Sequence, residues 1–263
     1  MLRRTLISVA ATGALGLAWP ARAQVTDLSD AINKAGRQRM LSQRMGKAWL
    51  AVLQGVETTN AQLVLDKSMA LFDRQLTELK TFAPNADILS TYTQLDTVWS
   101  DYKVALVGSA PARTGAGKLL QLDGKVLALS HQGTQQYEAA LAKPVGKLVN
   151  AAGRQRMLSQ RMAKFYLATT LPVDAAVAMA EIAKARTEFA SAMQLLRSAP
   201  EATSRIKDEL TLGDAQWVFF DAALQRLEAG VQRPKPMTEV FVASENLLAV
   251  MERVTGLYAA IKS

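Results

Sequence analysis

The segment Asn33–Lys47 reads NKAGRQRMLSQRMGK, and the segment Asn150–Lys164 repeats it as NAAGRQRMLSQRMAK. Thirteen of the fifteen positions are identical, and the two copies lie 117 residues apart. We refer to them as the first and second motif. Weaker matches follow downstream, which indicates a duplication of a unit of about 115–120 residues. These matches pair Phe72 with Phe189, Trp99 with Trp217 and Tyr137 with Tyr258.

The composition of the 263-residue chain favours helices in both units. Apolar residues make up 49%, aromatic residues only 6%, and glycine (15) and proline (8) are sparse. Alanine, leucine, glutamine, lysine and arginine are frequent, and these residues have high helix propensity. Four helices with short connections fold most simply as an antiparallel bundle, so we predict an all-α protein of two tandem four-helix bundles. The expected helices span 27–57, 60–82, 86–108, 117–142, 145–170, 174–198, 202–229 and 237–262.

The expected domains are residues 24–143 and 144–263, preceded by a cleaved segment, 1–23. The seam between the bundles is Lys143–Gly146, which contains Pro144. A proline here either ends the preceding helix or kinks it, so a single long helix joining both bundles is the alternative.

The first 23 residues have the pattern of a secretory signal peptide. A basic start with Arg3 and Arg4 is followed by an apolar run over 6–19 and by Ala21-Arg22-Ala23. This pattern predicts cleavage before Gln24 and export, which in a Gram-negative cell means the periplasm. The alternative is a membrane anchor, although the run is shorter than the ~20 residues that a membrane span needs.

The basic residues are concentrated in the two motifs. The formal net charge is +8, with 31 Lys and Arg against 23 Asp and Glu. Residues 33–47 hold five Lys or Arg side chains, residues 150–164 hold four, and neither segment contains an acid. A generic polyanion-binding surface spreads its charge more widely, and export separates the chain from cellular nucleic acid, so we expect no nucleic-acid partner.

The sequence has few residues that carry catalysis or bind metals. It contains no cysteine and one histidine, His131. These counts argue against zinc fingers, iron–sulfur clusters and thiol catalysis, and no nucleophile–base pair or carboxylate dyad stands out. We therefore predict no enzyme, no metal site and no cofactor. His131 is expected to be structural or exposed, and Trp99 and Trp217 are expected to anchor the core.

A helical projection separates the polar residues of the motif into two faces. Gly36, Arg39 and Gln43 share one face, while Arg37 and Arg44 share another. Small residues let helices approach closely, and the planar fork of an arginine suits planar oxyanions such as carboxylate or nitrate. The alternative is that the arginines are solvated or pair with acids of neighbouring helices. The equivalent candidate residues of the second motif are Gly153, Arg154, Arg156, Gln160 and Arg161.

At this motif the sequence resembles the PilJ-type N-terminal sensor domain of type IV pili methyl-accepting chemotaxis transducers. The same helix is similar to the P-box of the NarX and NarQ nitrate/nitrite sensors. That resemblance implies an anion held at the interface of two bundles by a glycine and an arginine three residues later, here Gly36 with Arg39 and Gly153 with Arg156. Those sensors have an uncharged pair between the two residues, whereas this chain has Arg37-Gln38 and Arg154-Gln155.

Two functions follow from these observations. The first is an exported sensor module that binds a small oxyanion, nitrate or nitrite by analogy, and signals through a membrane signalling or envelope protein. The second is a periplasmic adaptor whose arginine helices dock on acidic surfaces of a pilus, chemoreceptor or other envelope complex. Because the motif occurs twice, the site forms either between the two copies in one chain or between the chains of a homodimer.

Overall fold

The computed structural model describes residues 24–171, 175–228 and 231–261, and these form eight α-helices and one 3₁₀ turn. The first unit contains α1 to α4 and the second contains α5 to α8, so the prediction of two tandem four-helix bundles is confirmed. The signal-peptide prediction falls on 1–23, outside the described residues. The helices are α1 Leu28–Leu53, α2 Thr58–Phe82, α3 Ala86–Val107, α4 Ala116–Leu141, α5 Pro144–Ala168, α6 Ala175–Ser198, α7 Ser204–Leu224 and α8 Pro234–Ala259.

Short polar side chains and prolines define the helix starts. The Asp27 carboxylate accepts from the Asp30 backbone N–H at 2.8 Å, and Asn85 caps α3 through Ile88 in the same way. Pro144 and Pro234 stand in the first turns of α5 and α8, where the missing N–H costs no intrahelical hydrogen bond.

The two bundles are joined by a break rather than by one long helix. Ala142 ends α4 with a left-handed backbone (φ 51°), and α5 begins at Pro144. The alternative of a continuous helix through the seam is therefore wrong. The predicted helix bounds hold to within a few residues, although α7 ends at Leu224 rather than at 229 and α8 begins at Pro234 rather than at 237.

The repeat is visible in the packing of each bundle. The Tyr137 hydroxyl donates to the Leu79 carbonyl at 2.7 Å, and the Tyr258 hydroxyl donates to the Leu196 carbonyl at 2.6 Å. Trp99 is buried against Phe72, as predicted for a core anchor. Its counterpart Trp217 is partly buried and stacks on Phe189 with ring centroids 4.5 Å apart.

The two motif helices, α1 and α5, lie side by side at the centre of the molecule and run parallel. Each is covered by the other three helices of its own bundle and by the motif helix of the other bundle. Among the described residues, none of the helices is both long and apolar enough to span a bilayer.

We expect Gly133→Ala to destabilise the fold by about 1–3 kcal/mol, because it overpacks a tight contact in α4. A Cβ on Gly133 would lie 2.8 Å from Cε2 of the buried Tyr92 ring. Gly124→Ala is the matched control on the same helix, where a Cβ has no neighbour within 4 Å. Without a clash, alanine is expected to leave stability unchanged or to raise it by about 0.5–1 kcal/mol. Urea unfolding of both variants measures the difference, and equal stabilities would contradict it.

Candidate functional site

The α1–α5 pair crosses at Gly36 and Gly153. A Cβ on Gly36 would lie 3.8 Å from the Gly153 Cα, 3.2 Å from Arg39 Nη2 and 3.4 Å from Arg156 Nη2. A Cβ on Gly153 would meet the same two guanidinium groups at 3.6 and 3.1 Å. The missing side chains therefore let the helices approach and bring Arg39 and Arg156 together. We refer to these four residues as the arginine crossing.

Arg156 is fully buried. Its charge is neutralised by a carboxylate of its own bundle, and it also hydrogen-bonds a residue of the other bundle. Its Nη1 donates to Glu252 Oε2 at 2.8 Å and to Asn33 Oδ1 at 3.0 Å, and its Nη2 donates to the Asn33 carbonyl at 2.9 Å. Glu252 comes from α8, and Arg37 of α1 donates to the same carboxylate. This half of the crossing is an ion-paired network.

Arg39 is equally buried, but no carboxylate of the described residues contacts it. Its Nη2 donates to Asn150 Oδ1 at 2.7 Å and to the Asn150 carbonyl at 3.3 Å, which mirrors the contacts of Arg156 with Asn33. Its Nη1 lies 3.2 Å from Nδ1 of His131 on α4. Arginine only donates, so Nδ1 accepts and the proton of the neutral imidazole is on Nε2. Glu138, whose charge acts on Arg39, contacts Asn150 instead.

The pKa values reflect this difference in charge. Burial, reinforced by the charges of Arg154 and Arg156, lowers the pKa of Arg39 to about 9. Burial and the same cationic surroundings lower the pKa of His131 to about 4, so the ring is neutral at physiological pH. Burial alone would raise the pKa of Glu252, but the charge of Arg156 and the hydrogen bond from Arg37 outweigh it and lower the pKa to about 2.

The outer arginines of the two motifs have different partners. Arg37 and Arg44 of α1 reach across to Glu252 and Glu245 on α8 of the other bundle. In the second motif, Arg154 and Arg161 instead pair with acids on α6 of their own bundle. These acids are Glu188 and Glu181, each at 2.6 Å from the arginine Nη2.

A second set of polar contacts ties the motif helices together further along α1 and α5. Lys164 donates to Asp123 of α4 and, at 2.7 Å, to Gln43 Oε1, while Gln43 Nε2 donates to Asp123 Oδ1 at 2.7 Å. Lys47 makes the equivalent contact with Ser244 and Glu245 of α8, at 2.8 and 2.6 Å. The Gln160 amide donates to the Ser244 carbonyl at 2.9 Å.

The structure thus divides the ten predicted site residues into two groups. It brings Gly36, Arg39, Gly153 and Arg156 together at the arginine crossing. The remaining six pair with acids or polar groups of neighbouring helices, and the four arginines among them make the acid pairs that the alternative interpretation describes. These six are Arg37, Gln43, Arg44, Arg154, Gln160 and Arg161.

Sequence reasoning missed His131. It was expected to be structural or exposed; it is half-buried, contacts Arg39 and lines an open cavity between α4, α5 and α6. The sequence does contain a signal for His131. The offset of 121 residues that pairs Tyr137 with Tyr258 in the repeat also pairs His131 with Glu252. The described residues contain no group of three or more His, Cys, Asp or Glu side chains placed to hold a metal ion.

Fold and site together define a helical module in which two bundles share a buried cationic interface. The family of type IV pili methyl-accepting chemotaxis transducer N-terminal domains matches this chain twice, over residues 22–122 and 137–255. The chain belongs to this family, whose members are sensory domains of chemotaxis transducers. No curated protein and no solved structure matches the chain significantly.

The dependence of the free energy of unfolding on pH in the acid range tests the ion pair between Glu252 and Arg156. Because the pKa of Glu252 is lowered from 4.5 to about 2, its contribution to folding is present above about pH 4.5 and is lost as the pH falls towards 2. Glu252→Gln leaves buried Arg156 without a carboxylate and is expected to cost about 3 kcal/mol at pH 7. That difference should shrink between pH 4.5 and 2, where the native carboxylate becomes protonated.

Urea unfolding from pH 7 to pH 2 measures this dependence. Glu209→Gln is the matched control, because Glu209 pairs with Arg253 on the surface and exposed pairs contribute about 1 kcal/mol or less. A Glu252→Gln curve that runs parallel to the wild-type curve down to pH 2 would contradict the assignment.

Proposed function

We propose that the arginine crossing binds a small planar oxyanion and that the protein reports its presence. The proposal is carried by one observation. Two arginines, both fully buried, meet at the crossing, and among the described residues a carboxylate, that of Glu252, contacts Arg156 and none contacts Arg39. A buried charge without a counter-charge is costly, so this interface favours the binding of one further anion.

The unused donors at the crossing support the same proposal. The Nε atoms of Arg39 and Arg156 are buried and have no hydrogen-bond partner. A guanidinium offers in-plane donors that match the oxygen atoms of nitrate, nitrite or a carboxylate. Nitrate and nitrite enter by analogy with the NarX and NarQ sensors, through the glycine–arginine spacing of each motif. No cofactor or metal is part of the proposal.

A ligand here would act on both bundles. Arg39 belongs to α1 but hydrogen-bonds Asn150 of α5 and His131 of α4. Neutralising its charge stabilises the packing in which these helices meet, and a ligand shifts the population towards the state it binds better. In our proposal the protein is exported to the periplasm by the signal peptide at 1–23, and a membrane signalling or envelope protein reads the change.

The adaptor function has less support in the geometry. Arg39 and Arg156 are too deeply buried to contact the surface of another protein, and the four outer arginines pair with glutamates of this chain. Docking these helices on an acidic partner would require breaking internal ion pairs. Gly36, Arg39, Gly153 and Arg156 meet within one chain, so the proposal needs no homodimer.

A thermal-unfolding titration with nitrate, nitrite, sulfate and chloride at equal ionic strength tests the proposal. We expect nitrate or nitrite to raise the Tm saturably, because a ligand at 100 times its Kd stabilises the folded state by about 2.7 kcal/mol. For a chain of this size the shift is about 2–4 °C. Arg39→Gln, which keeps a donor and removes the charge, should abolish the shift and leave the unliganded Tm unchanged or higher.

Arg253→Gln serves as the control, since Arg253 pairs with Glu209 on the surface, away from the crossing. It should keep the full anion response. Equal small shifts with all four salts, unchanged in Arg39→Gln, would refute the proposal and favour a general salt effect.

A further inference from the structure

The duplication places unlike residues at equivalent positions on the two sides of the arginine crossing. On α8, Glu245 and Glu252 lie seven residues apart and point their carboxylates at the motif helix α1. The offset of 121 that matches Tyr137 with Tyr258 places Gly124 and His131 at these positions on α4. The second side therefore lacks both carboxylates.

A cavity of about 230 Å³ lies where those carboxylates are missing. Arg39, Arg154, Gly124 and His131 line it, and a Cβ on Gly124 would have no neighbour within 4 Å. The volume corresponds to roughly seven water molecules of the bulk liquid, which suits a compound between acetate and succinate in size. We refer to this space as the lateral cavity.

The lateral cavity is cationic and partly apolar. Its charged lining consists of four cations and two carboxylates, and His131 is neutral, so the net charge is +2. Arg39 is the fully buried cation among them, and it has no acid partner among the described residues. Apolar wall comes from Leu127, Ala128, Met157, Leu158 and Ala185.

On the other side of the arginine crossing, the equivalent pair of arginines holds a carboxylate. There the Glu252 carboxylate receives Arg37 Nη2 at 2.9 Å and Arg156 Nη1 at 2.8 Å. The equivalents of these two arginines in the repeat are Arg154 and Arg39, and both line the lateral cavity. The chain thus keeps both guanidinium groups on this side. Arg154 is paired there with Glu188 of α6 through Nε and Nη2, whereas no carboxylate among the described residues contacts Arg39.

We propose that the lateral cavity binds a small ligand that carries a carboxylate group. This carboxylate lies beside Arg39 and Arg154, in the position that corresponds to that of the Glu252 carboxylate beside Arg156 and Arg37. This proposal rests on the proposed function and narrows it, since it names a carboxylate as the oxyanion and α4, α5 and α6 as its entry side. The apolar wall favours a short aliphatic body over bare nitrate. Because the opposite side carries its own carboxylates, the site binds one ligand per chain.

Calorimetric titration of the protein with acetate, pyruvate and succinate, each compared with nitrate and chloride at equal ionic strength, tests the proposal. We expect at least one carboxylate to bind saturably, with one site per chain and about tenfold tighter than nitrate. His131→Glu supplies the missing carboxylate from the chain and should weaken that binding by about tenfold or more, while His131→Gln, equal in size to glutamate and uncharged, should weaken it much less.

Gly124→Glu and Gly124→Gln form a second pair at an exposed position with open space around it, so the test does not depend on the folding of the His131 variants. Carboxylate binding that both glutamate variants leave unchanged would overturn the assigned place. Binding of nitrate or nitrite that depends on Arg39, without binding of any of the three carboxylates, would overturn this inference and leave the proposed function standing. Absence of any anion binding that depends on Arg39 would refute both.

Discussion

The close approach of α1 and α5 at Gly36 and Gly153 is the constraint on which the rest of the site depends. Without side chains at the two glycines the helices approach closely, and the guanidinium groups of Arg39 and Arg156 occupy the space that two side chains would fill. Desolvated charges have to be met by counter-charges or by hydrogen bonds. The backbone and side-chain oxygens of Asn33 and Asn150 meet part of this demand on both sides, and Glu252 meets the rest on one side.

Carrying both bundles in one chain has a physical consequence for such an interface. In a symmetric homodimer, each substitution appears on both sides of the two-fold axis, so that a glutamate facing one arginine also faces the other. A tandem duplication removes this restriction. Glu252 neutralises Arg156, while the equivalent position near Arg39 holds His131, whose neutral ring accepts one hydrogen bond and brings no charge. One half of the interface is thereby complete and the other half is left cationic and open.

The sequence predicted the parts of this arrangement that depend on local periodicity. Helix number, approximate bounds and the common face of Gly36 and Arg39 follow from turn residues and the 3.6-residue repeat. Which acid pairs with which arginine does not follow, because it depends on how the two bundles are placed side by side. Arg37 finds its acid 215 residues away on α8, whereas the equivalent Arg154 finds its acid on the adjacent α6. The offset grows from 117 in the motifs to 121 in the fourth helices, which obscured the match of His131 with Glu252.

The same asymmetry links the chemistry of the site to its use as a sensor. A buried Arg39 without a counter-charge lowers the stability of the unliganded protein, and proteins tolerate such local cost where function requires it. Arg39 hydrogen-bonds α4 and the start of α5, and only Ala142 and Lys143 separate these two helices. In our proposal, an anion that neutralises Arg39 strengthens the contact between the bundles next to the segment that connects them. A change in packing at this point would move one bundle relative to the other, which is the kind of output that a partner protein can read.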